Sequence, residues 1–180
     1  MFGTPTPTDP YAAHYPPDKD GYEETLYAAF INADTPPDGI YIDLFNKLEP
    51  FPNSIMPTTV QLTADQADYS TCGACVEVDT DIDDDGNATH VYLADGGTLN
   101  LTSTSGTITG TISNATFRHV DIDSESYETT PNADGCQTTI ERLTFTQMVE
   151  EQTDTGSGSA ARFAERGARK ASHLSRVKFH

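Results

Sequence analysis

The sequence predicts an all-β domain: an antiparallel β-sandwich of jelly-roll type with about eight or nine strands and flexible tails at both ends. Three observations carry this expectation. Apolar and polar residues alternate with period two over many short runs, the pattern of strands with one wet face. Turn signals built from Gly, Pro, Asn and Asp recur about every 8–12 residues. Hydrophobic residues make up only 36% of the 180-residue chain and Trp is absent, with Thr, Asp and Gly filling the difference. That balance suits half-exposed strands better than a helical bundle.

Each element follows from local chemistry. Residues 1–21 carry five prolines before Asp18 and no periodicity, which predicts a disordered or extended Pro/Thr-rich leader. The domain itself spans 22–150. Glu24–Asn32 is apolar on both parities and reads as a strand. The turn Asp34-Thr-Pro-Pro-Asp-Gly39 stops it by fixing φ and removing donors. Ile40, Ile42 and Leu44 then share one face of a second strand, so 24–46 reads as a hairpin. Pro50, Pro52 and Pro57 mark a loop, Thr58–Thr63 alternates as a short strand, and Ala64–Tyr69 is one helical turn or a loop. Val76–Asp79 and Ala88–Leu93 flank Asp85-Gly86, a strong hairpin corner. Gly97–Ser103 and Gly106–Asp123 alternate over long runs. Their apolar parity changes between Ile112 and Phe117, which places a bulge near Asn114 or Arg118. Residues 124–135 read as a loop and Cys136–Gln147 as the last strand.

Residues 151–180 are a separate matter. Gly156–Ser159 is a flexible linker by composition. Beyond it lies a basic tail that reads as disordered or as a weak amphipathic helix suited to anionic surfaces. Charge divides the same way. Up to Thr155 there are 27 Asp and Glu against 4 Lys and Arg; after it there is 1 against 6, which together give the net −18. So acidic a body repels phosphate backbones, and nucleic-acid binding by the main domain is excluded.

The chemistry-bearing stretch is Cys72–Asn87. Cys72-Gly-Ala-Cys75 has the spacing of a redox CxxC, which requires a helix N-terminus to lower the thiol pKa. Strand and negative charge follow it instead, so a disulfide in an oxidising compartment is the expected role. The candidates are Cys72, Cys75 and Cys136; a bond from Cys136 to Cys72 or Cys75 would tie the last strand to the middle of the chain, and the sequence does not choose the pairing. A zinc site built on Cys72, Cys75 and Cys136 would need His90 or His119 as its fourth donor. Asp79, Asp81, Asp83 and Asp85, ahead of Gly86 and Asn87, space hard oxygens by two before a turn, the arrangement Ca²⁺ asks for. The chain is no EF-hand, because position 12 counted from Asp81 is Tyr92 rather than Glu. The plain alternative is a solvated, self-repelling turn. No GxSxG elbow or nucleophile–base set is visible, and no catalytic residue is assigned.

Three segments carry a resemblance: Asp68-Tyr-Ser-Thr-Cys-Gly-Ala-Cys-Val-Glu-Val78, Gly96-Gly-Thr-Leu-Asn-Leu-Thr-Ser103 and Gly110-Thr-Ile-Ser-Asn-Ala-Thr-Phe117. Over residues 24–147 the sequence resembles secreted or lipoprotein-type β-domain proteins of myxobacteria. The resemblance implies β architecture and an extracellular or cell-envelope location, and brings no activity with it. The expectation is therefore a non-catalytic envelope or matrix component with a structural or adhesive role and a calcium loop. Two alternatives stand beside it: a carbohydrate-active or hydrolytic jelly-roll module, and a CxxC metal or redox protein.

Overall fold

The computed structural model describes residues 1–18, 21–32, 35–83, 85–123 and 126–152. Their regular structure is all β apart from one 3₁₀ turn at Ala64–Gln66. Ten strands run in chain order: β1 Thr8–Tyr15, β2 Glu24–Asn32, β3 Asp38–Phe45, β4 Thr59–Gln61, β5 Ala74–Thr80, β6 His90–Ser105, β7 Thr107–Ile122, β8 Thr129–Pro131, β9 Gln137–Met148 and β10 Glu150–Glu151. All belong to one hydrogen-bonded sheet of order β10-β1-β2-β3-β5-β6-β7-β8, with β4 added on β6 and β9 on β7. Every pairing is antiparallel except β1 with β10.

The sheet becomes two layers because its two longest strands change partners midway. The start of β6, up to Leu93, pairs with β5, while Thr98–Asn100 pairs with β4. The end of β7 pairs with β8, while Thr107–Arg118 pairs with β9. The register between β6 and β7 shifts on both sides of Gly96. Gly97 has φ +100, and a Cβ there would stand 2.6 Å from the Ala115 Cα. Only glycine satisfies both demands, the left-handed backbone and the close approach. Across the bend Asn114 has φ 50, so the bulge sits at the first of its two expected positions.

The fold buries its main core between the layers. Tyr27, Ile40, Ile42, Leu44, Val76 and Val78 come from the first layer; Leu99, Leu101, Ile108, Ile112, Leu143 and Phe145 come from the second. The Tyr27 and Phe145 rings lie 4.8 Å apart, centroid to centroid, across the gap. β3 is buried along its whole length. Neighbours on each side and packing on both faces account for its near-continuous apolar run.

Three expectations need correction. The leader is not structureless: β1 lies inside it, paired to β2 from Tyr11 to Tyr15, the longest proline-free run of the segment. The register slips between Thr8 and Tyr11, at Pro10, which cannot donate to the ladder. Ala88–Leu93 and Gly97–Ser103 are one strand rather than two, since Gly96-Gly97 bends the chain without ending it. The 124–135 loop contains the short β8. The linker and basic tail from residue 153 onward lie outside the described residues. No helix among the described residues is long and apolar enough to cross a membrane.

Candidate functional site

The Cys72–Asn87 stretch divides into a dry part and a wet part. Cys72 and Cys75 are joined to each other, Cα atoms 5.4 Å apart, and both are buried beside Phe45, Ala67, Tyr69, Leu93 and Val120. Gly73 between them is the position where the backbone of Leu48 and Glu49 passes: its N–H donates to Glu49 O at 3.1 Å. A Cβ there would stand 2.8 Å from Leu48 O. The pairing left open by the sequence is thus Cys72–Cys75, and Cys136 is a free, exposed thiol. It precedes β9, and β6 and β7 lie between β9 and the strand that carries Cys75. The zinc set of Cys72, Cys75 and Cys136 fails for the same reason. Disulfide exchange needs a thiolate to reach a sulfur, and neither sulfur is reachable.

The four aspartates do not converge. Asp79 is buried on β5. Loss of water pushes its carboxyl up to about 8, with the nearby Asp43 charge adding to the effect. Asp81 has φ 52 and donates its N–H to Asp38 Oδ1 at 3.0 Å. Asp83 closes the turn: its Oδ1 accepts the N–H of Asp85 at 2.9 Å and of Asn87 at 2.8 Å, and the Asn87 amide donates to its Oδ2 at 3.2 Å. Those bonds, Asn87's first, hold its carboxyl below the usual range. This is an Asx-type corner that satisfies itself. Among the described residues no three His, Cys, Asp or Glu side chains are placed to hold a metal ion.

Two clusters emerge; sequence reasoning missed the first and named His90, His119 and Cys136 of the second only as zinc donors. On the outer side of the first layer, Tyr41 of β3 faces Glu77 of β5, and Asp43 faces Cys75. Glu77, Asp43 and Asp79 are all buried, and Tyr69 Oη donates to Asp43 Oδ2 at 3.0 Å. The Tyr41 hydroxyl is pushed well above its ordinary pKa by burial, then by the Asp79 and Asp43 charges. The signal was present: acids interrupt two strands that are otherwise apolar on both parities. The second cluster is half-exposed. His119 Nδ1 lies 2.7 Å from Asp134 Oδ2, and the His119 ring sits 4.9 Å from His90 and 5.2 Å from Tyr92. Cys136 joins it, with its thiol pushed up by a hydrogen bond to Asp134. A thiol held protonated by a carboxylate is a poor nucleophile.

The outer side of the second layer is open. Thr59 and Gln61 of β4, Thr98, Asn100 and Thr102 of β6, Thr109, Thr111 and Ser113 of β7, and Thr144 and Thr146 of β9 occupy it at alternate positions. Cross-strand neighbours bond one another: Thr59 Oγ1 donates to Asn100 Oδ1 at 3.0 Å, and the Thr109 and Thr146 hydroxyls lie 2.9 Å apart. None of these side chains is charged, in a chain of net charge −18, but Arg142, exposed and paired with Ser113 across β7 and β9, stands on the same side. No family model, curated protein or solved structure matches the chain.

Proposed function

We propose that this protein is a non-catalytic β-sandwich of the cell envelope or extracellular matrix that works by surface adhesion. The observation that carries the reading is the face rich in hydroxyls and amides across β4, β6, β7 and β9, with Arg142 beside Ser113. A regular ladder of Thr, Asn and Gln offers donors and acceptors at strand spacing without long-range repulsion. The partner such a face suits is a neutral, polyhydroxylated polymer. An anionic one would be repelled by the acidic body, and a cationic one would bind the acids elsewhere. The sealed disulfide supports the location, since such bonds persist in oxidising compartments. The resemblance to myxobacterial secreted and lipoprotein-type proteins points the same way. Calcium would be an adjunct that has to draw Asp81, Asp83 and Asp85 together, since Asp79 is buried and among the described residues no three acids converge.

The test is retention on insoluble neutral glycans and on envelope preparations, compared with a variant carrying Thr109→Glu, Thr111→Glu and Thr144→Glu. Wild type is expected to be retained and the variant to elute in the void, with melting temperatures close together. Equal retention of the two proteins removes the face from the proposal; turnover of any glycan removes the non-catalytic part. Melting curves that superimpose in Ca²⁺ and EDTA remove the adjunct.

A further inference from the structure

A cavity of about 180 Å³ opens at one end of the sandwich, where the β6–β7 turn meets β1, β2 and β10. Its polar lining comes from separate segments: His14 on β1, Glu23 just before β2, Thr25 on β2 and Glu151 on β10, with Ile55 and Val149 as the apolar wall. Threonine and serine of the turn, with Gly106, complete it; among the described residues no Lys or Arg lines it.

Each group is held by the fold. His14 Nδ1 and Thr25 Oγ1 lie 3.2 Å apart, with Thr25 buried. Parallel pairing sets His14 beside Glu151, and Gln152 N donates to His14 O at 2.9 Å. Ile55 N donates to Glu23 Oε1 at 3.3 Å, which fixes that carboxylate at the rim. Glu23 Oε2 and both Glu151 oxygens take part in no other hydrogen bond or ion pair among the described residues.

We infer that this cavity binds a small alkylammonium ion, its ammonium groups paired with Glu23 and Glu151 and its short stem against Ile55 and Val149. Size argues for it. At about 30 Å³ per water the space equals roughly six waters, and it lies below the ~300 Å³ at which pockets for drug-sized ligands begin. Charge argues for it as well: two carboxylates with free acceptor oxygens line a cavity to which no described Lys or Arg contributes, in a chain whose net charge draws cations in. A bare metal ion fits less well, since among the described residues no three ligating side chains converge, and the apolar wall would have no role.

Titration with putrescine, followed by amide NMR at fixed ionic strength, tests this independently of the adhesive reading. Saturable shifts are expected at His14, Thr25, Ser105 and Glu151, with none from n-butanol or butyrate. Glu151→Gln and Glu23→Gln each weaken binding by about tenfold or more, the loss of one charge-assisted contact. Both variants keep the fold: Glu151 is exposed, and Gln at position 23 still accepts from Ile55. Glu150→Gln, in the same strand but outside the lining, leaves binding unchanged. Equal weakening by Glu150→Gln means diffuse attraction to an acidic body and overturns the site; so does an absence of saturable shifts in the wild-type protein.

Discussion

The outer sides of the two layers have opposite chemistry. On the first layer, Tyr41, Asp43, Glu77 and Asp79 are covered and water is excluded. On the second, threonines and amides stand open beside Arg142. An acidic protein has thus placed carboxylates where ionising them is costly and kept them off the one broad face where they would be harmless. Burial on one side ties protonation to folding. Exposure on the other ties surface chemistry to contact.

The change that disturbs both sides most is Phe145→Ala. Phe145 is 2% exposed and pairs across the layers with Tyr27. Its truncation is expected to cost about 3–5 kcal/mol in denaturant unfolding, because the cavity left between two hydrogen-bonded layers cannot collapse. A loss below 1 kcal/mol would mean that the layers are held by their edges instead.

Asp79→Asn sharpens the contrast from the covered side. The folded pKa of Asp79 is raised to about 8 from an ordinary 3.8. The folded state therefore holds a proton there that the unfolded chain has already released. Its contribution to stability is full below pH ~4, falls as pH rises, and levels off above pH ~8. The variant is expected to exceed wild type at pH 9 by on the order of a few kcal/mol, with the gap closing toward pH 4. A gap independent of pH contradicts the burial argument.

The smallest effect separates the cysteines without altering the protein. Under native, non-reducing conditions a thiol reagent is expected to label Cys136 alone, and denaturation without reductant to add nothing. Labelling at Cys72 or Cys75 would show that the covered side opens.

Most of the strand order was legible because alternation reports which residues face a core, and the Asn114 bulge because parity had to change between Ile112 and Phe117. β1 was hidden by prolines that flank a sound strand. Gly96-Gly97 read as an interruption because sequence cannot separate a bend within a strand from a turn between two. The acids were misread for a deeper reason. Alternation places Asp79 opposite the core, but only tertiary structure reveals that Tyr69 and the segment around it roof over that side. The disulfide's partners stayed open because spacing does not rank the pairings of three cysteines, and the fold joins Cys72 to Cys75.

The bend at Gly96-Gly97 has a mechanical consequence. In sandwiches whose layers only touch, a pull on one face shears packed side chains. Here β6 and β7 cross from layer to layer as unbroken covalent chain. Tension applied at the threonine ladder would pass along two backbones directly toward the strand that carries the disulfide. A surface built to hold on under flow would gain from such wiring, since the layers cannot part until their shared strands are unzipped.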